Sequence, residues 1–168
     1  GARADLAALL DDPALDEDHG VRALAQQMAG LIDEDPLALL TASRSFESHD
    51  DLLRAWNAAE LAATVAGVRG EGAVARNALH RALGLVETLR GRLADGPDRA
   101  GMRRTVEHLA ARLCTLCALD GDEDAAFAVL LRAHAPNGHA AAEADVSAIA
   151  AALPEDAVAV AYLPGDDA

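Results

Sequence analysis

Apolar residues recur three and four positions apart along most of this chain, and acidic, glycine or proline joints divide the stretches they mark. That is the pattern of amphipathic helices with one buried face. Read from the breakers, helices are predicted over Ala2–Leu10, Val21–Ile32, Pro36–Phe46, Asp50–Val68, Glu71–Ala94, Arg99–Leu119, Glu123–His134 and Ala141–Leu153. An acidic loop from Asp11 to Gly20 follows the first of them. The joints Asp33-Glu34-Asp35, Arg69-Gly70 and Asp120-Gly121-Asp122 are so short that consecutive helices must run antiparallel. Pro36 suits a first helical turn, where its missing N–H costs nothing. Only near the C-terminus does the period fall to two. There Val158, Val160 and Tyr162 alternate with Ala157, Ala159 and Ala161, which predicts a strand over Ala157–Leu163 closed by the turn Pro164-Gly165-Asp166-Asp167.

Three helix pairs superpose on their joints. In the last, Ala110, Leu113, Cys114 and Cys117 precede Gly121-Asp122, Ala126, Leu130 and Ala133 follow it, and Pro136 lies beyond. The middle pair sets Ala59, Ala62, Ala63 and Ala66 before Gly70, and Ala75, Leu79 and Ala82 after it. The first is the loosest match: Arg22, Ala25, Gln26 and Ala29 precede the joint at Asp33-Glu34, and Ala38, Ala42 and Ser45 follow. This arrangement resembles the tetratricopeptide repeat, in which a W-x2-L-G-x2-Y helix precedes an A-x3-F helix. Ala110 holds the Trp slot, Cys114 the Gly slot and Cys117 the Tyr slot. The joints fall 37 and then 51 residues apart, against about 34 in the consensus. The expected fold is therefore all-α, with antiparallel helical hairpins stacked as a degenerate tetratricopeptide-like array and one short C-terminal β-strand. An irregular α-bundle is the competing reading.

The passage from the Ala141–Leu153 helix through Leu153-Pro154-Glu155-Asp156 and Ala157–Leu163 to Pro164-Gly165-Asp166-Asp167 resembles the entry into a CHAT domain. CHAT domains have a caspase-like cysteine protease fold that in bacteria often follows helical repeats. Gly121-Asp122, Ala126-Phe127, Leu130 and Arg132-Ala133 are similar to the last pair of such repeat regions, although Leu131 stands where a Glu is common. The resemblance implies a helical repeat domain over residues 1–140. Residues 141–168 would then be a linker helix and the first strand of a further domain. The family's catalytic His and Cys lie downstream of that strand, and no residue here corresponds to either. A strand without a neighbour leaves its edges unpaired. It is expected either to pack extended on a helix or to pair with its own copy in a truncation-induced dimer.

Composition narrows the function classes. Alanine makes up about a quarter of the 168 residues and aromatics 2%, which favours helices that cross closely on small side chains. All 14 basic residues are Arg, as in a GC-rich bacterial genome, and they face 28 acids for a net charge of −14. That balance argues against nucleic acid or anionic membrane as partner, because phosphate binding needs clustered positive charge. No apolar run approaches the roughly 18 residues of a membrane span. Two cysteines without a disulfide framework fit a reducing cytoplasm.

Chemistry-bearing motifs are few. Cys114-Thr115-Leu116-Cys117 lies deep in a predicted helix rather than at its N-terminus, so both thiols are expected to be reduced, metal-free and buried opposite Ala126 and Leu130. Asp120-Gly121-Asp122-Glu123-Asp124 opens like a calcium loop, but Ala125 and Leu131 stand where an EF-hand needs Gly and Glu. Asp16-Glu17-Asp18-His19 reads as a solvated acidic loop and Trp56 as core. Ser43, Ser45, Ser48 and Ser147 lack a nucleophile elbow. Catalytic, cofactor and metal sites are accordingly expected to be absent. Arg99, Arg103, Arg104 and Arg112 are the candidate partner-binding residues, as a basic stripe on one helix facing an acidic segment. The chain thus reads as a protein- or peptide-binding scaffold in front of a CHAT domain, with the sensor region of a bacterial transcriptional regulator as the alternative.

Overall fold

A computed structural model describes residues 1–12, 19–93 and 96–134. The predicted helix Ala141–Leu153, the strand Ala157–Leu163 and the acidic stretch Asp16–Asp18 lie outside those residues. Within them the chain is all-α and 86% helical, with no strand. The helices are α1 (Ala2–Leu10), α2 (His19–Ile32), α3 (Pro36–Ser48), α4 (Leu52–Val68), α5 (Gly72–Arg92), α6 (Pro97–Leu119) and α7 (Glu123–His134). Most bounds coincide with the sequence reading, and the others differ by one or two residues. α6 starts earlier because Pro97, with its preset φ, occupies the first turn. α3 runs two residues further because the chain reverses at Asp50 rather than after Phe46.

Four of the links have one construction. The α2/α3, α3/α4, α4/α5 and α6/α7 links are three residues long, and the middle residue takes positive φ: Glu34 (50°), Asp50 (61°), Gly70 (73°) and Gly121 (74°). The N–H of that residue bonds the carbonyl three back, and the next N–H bonds the carbonyl five back. The latter set is Asp35 to Gly30, Asp51 to Phe46, Glu71 to Ala66 and Asp122 to Cys117, at 2.8–3.0 Å. This paired closure satisfies two orphan carbonyls at each helix end. The acid that completes it also starts the next helix. Asp35 Oδ1 accepts from the Leu37 and Ala38 amides, Asp51 Oδ1 from Arg54 and Asp122 Oδ1 from Ala125. Adjacent helices joined this way pack directly on each other, as α2 with α3, α3 with α4 and α6 with α7.

The chain divides into two compact units, Gly1–Val86 and Glu87 onward, with the division inside α5. In the first, the core holds Leu39, Phe46, Leu79 and Leu83 with a run of alanines from α4. Positions 36 residues apart share their burial: Ala23 with Ala59, Gly30 with Ala66, Leu39 with Ala75, Ser43 with Leu79 and Phe46 with Ala82. The reversals at Glu34 and Gly70 are 36 apart as well. The first pair therefore registers one residue away from the alignment on Arg22, Ala25, Ala38 and Ser45, most of which are only half-buried. The misalignment has a simple cause: Glu34, not a glycine, makes the turn, so the sequence does not mark its centre. Arg69 Nη1 donates to the Glu34 carbonyl at 2.8 Å, which sets the two equivalent turns side by side. At Gly30 a Cβ would stand 2.9 Å from Leu39 Cγ and 3.1 Å from Leu39 N, so α2 and α3 approach through that glycine.

In the second unit Val106, Leu109, Ala110, Leu113 and Cys117 line one face of α6, and Ala126, Val129 and Ala133 of α7 are buried with them.

Candidate functional site

The four candidate arginines all lie on α6 but do not form one stripe. At about 100° per residue, Arg99 and Arg103 share a face, while Arg104 and Arg112 project well away from it. Arg103 Nε donates to Glu107 Oε1 at 2.8 Å, one turn on, and Arg99 and Arg112 also have partners. Arg104 is exposed. Glu107 thus neutralises the Arg103 charge.

Cys117 is fully buried, but Cys114 is only half-buried. Both are free thiols. The expectation that both are buried needs this correction, and the helix geometry gives the reason. Val106, Leu109, Ala110, Leu113 and Cys117 are centred on one direction, and Cys114 stands about 80° off it. Desolvation pushes the Cys114 thiol above its ordinary value, opposite to the activation that a redox or nucleophilic cysteine needs. Among the described residues no three His, Cys, Asp or Glu side chains stand close enough to hold a metal ion.

Two polar clasps were not legible in the sequence. Ser43 Oγ, fully buried, donates to the Ala55 carbonyl at 2.7 Å and accepts from Arg81 Nε at 2.8 Å. Arg81 also bonds Glu47, so one hydroxyl ties α3, α4 and α5 together. In the second unit Glu87, buried to 2% side-chain exposure, receives Arg132 in a forked ion pair. Both join residues more than thirty apart in sequence, beyond any local pattern.

One serine–histidine contact invites a catalytic reading and fails it. Ser48 Oγ lies 3.1 Å from His49 Nδ1, but Nδ1 is also 2.7 Å from the Ser45 carbonyl. A carbonyl only accepts, so Nδ1 carries the proton and cannot take one from Ser48. The Ser48 hydroxyl itself donates to the Ser45 carbonyl at 2.7 Å. The His49 ring stacks on His19, centroids 4.6 Å apart. Trp56 is half-buried, and its Nε1 is buried without a hydrogen-bond partner, as is Gln26 Oε1.

A cleft of about 140 Å³ lies between α1 and α2, lined by Leu6, Leu10 and Ile32 and rimmed by the Arg3–Asp33 ion pair. Ligand pockets of drug-sized molecules run to roughly 300 Å³ or more, so this one is too small. No described helix is long and apolar enough to cross a membrane. No family model, curated protein or solved structure matches the chain. The described fold defines the class on its own: an all-α protein of helical hairpins with recurrent three-residue turns.

Proposed function

We propose that this chain is a protein- or peptide-binding helical scaffold, built as a degenerate tetratricopeptide-like array, that serves as the recognition or regulatory region of a CHAT-domain protein. One observation carries the scaffold reading: the 36-residue recurrence of burial and turn geometry in the first unit, with Arg69 bridging the equivalent turns. Repeats that stack through their neighbours create an extended surface, and the repeat class binds peptides along such surfaces.

The CHAT part of the proposal rests on the Leu153-Pro154-Glu155-Asp156 passage and the alternating segment after it. A segment binding the array would bias how the attached effector packs and so gate it. Reading the parent gene beyond residue 168 tests this part. A caspase-like domain with its His and Cys supports it. A helix-turn-helix domain would replace it with the sensor region of a transcriptional regulator. Selection from a displayed peptide library tests the scaffold part. A selected peptide should bind at a 1:1 ratio and lose affinity on substitution of exposed α2, α4 or α6 residues, whereas enrichment of no peptide counts against it.

A further inference from the structure

We propose that the exposed face of α2 is a homodimer seam that pairs with α2 of a second copy of this chain. Val21, Leu24, Met28 and Leu31 follow one another at spacings of three, four and three, and each is 40–49% exposed. That is the a/d spacing of a coiled-coil seam, the pattern whose natural partner is another helix of the same period. The α2 residues that do face the core are small or polar, Ala23, Gln27 and Gly30. The helix thus turns its bulky side chains outward and its small ones inward, the reverse of an ordinary surface helix. Ile32, 47% exposed, carries the apolar surface on to the cleft beside α1.

Charge selects the occupant. The chain carries a net charge of −14, so two copies repel over most of their surfaces. α2 is the exception. It contains no Asp or Glu, whereas every other described helix contains at least one. Beside the seam, Gly20 and Ile32 are exposed and uncharged, while Ala25 and Gln27 are buried, so no charge flanks it on α2. Two copies can meet here by a two-fold axis, each supplying the same four side chains, without setting acid against acid. Three turns of helix cover less than the about 800 Å² per partner of a stable interface. The dimer is therefore weak, dissociating in the micromolar range or above, and tightens as salt screens the repulsion between the copies.

Sedimentation equilibrium of the full chain over a concentration series tests this. A monomer–dimer equilibrium is expected, stronger at higher salt. Leu24→Glu/Met28→Glu should weaken it at least about tenfold with an unchanged helical circular dichroism spectrum. Should the paired glutamates disturb folding, Leu24→Gln/Met28→Gln is scored in their place, with the same expectation. Deletion of residues 157–168 should leave the dimer intact. A chain that stays monomeric to about 1 mM overturns the proposal. So does a dimer that survives the seam substitutions, or one that the C-terminal deletion abolishes.

Discussion

Arg132 Nε lies 2.9 Å from both carboxylate oxygens of Glu87, 45 residues away in sequence, and fastens α7 to α5. The carboxylate is almost wholly buried while the guanidinium reaches solvent. Removing the arginine therefore leaves a buried, uncompensated charge, and removing both partners does not.

Arg132→Ala is accordingly expected to cost about 3 kcal/mol. The double substitution Glu87→Leu/Arg132→Met should recover most of that loss. Urea denaturation of the three proteins checks it. A double variant no more stable than Arg132→Ala would mean that the loss comes from the missing ion pair itself and not from an unpaired buried charge.

Gly30→Ala should destabilise the first unit by about 1–3 kcal/mol, because the new methyl meets Leu39 at 2.9 Å. Gly101→Ala, within α6 and with nothing within 4 Å of a Cβ, should instead stabilise by about 0.5–1 kcal/mol through helix propensity. Thermal melts of both variants read the opposite signs.

The turn residues separate in the same way. Glu34 and Asp50 hold positive φ without being glycine. Glu34→Gly and Asp50→Gly should each raise stability by about 0.5–1 kcal/mol, and Gly70→Ala and Gly121→Ala should each lower it by about 1 kcal/mol. Additivity of the two stabilising changes would show that the turns act independently.

Much of the helical order was legible from breakers, since Gly70 and Gly121 mark their turns in the chain itself. The joint Asp33-Glu34-Asp35 was legible too, but its centre was not, because glutamate gives no signal for the left-handed region, and the alignment of the first helix pair slipped by one residue in consequence. Val21, Leu24, Met28 and Leu31 recur at helical spacing yet stand exposed, because period does not say which face a neighbour covers. The arginines of α6 looked like a stripe by proximity in sequence, and helical rotation spreads them. Ser43–Arg81 and Glu87–Arg132 needed three dimensions, because their partners lie 38 and 45 residues away.

Cys114 supplies a pH dependence. Desolvation raises its pKa in the folded state, so the folded chain holds the thiol proton more tightly than the unfolded one. The associated stability is present below the ordinary thiol value of about 8.5 and is lost as pH rises above it. Cys114→Ser should flatten the fall in melting temperature between neutral and alkaline pH. In the native protein both cysteines should react with iodoacetamide more slowly than in urea, with Cys117 the slower of the two.

Nuclear magnetic resonance of the full chain in solution tests the stacking of equivalent turns most directly. Positive φ is expected at Glu34, Asp50, Gly70 and Gly121, with nuclear Overhauser contacts between Arg69 and Glu34, 35 residues apart. Negative φ at Glu34, or turns at 34 and 70 with no contact between them, would contradict it.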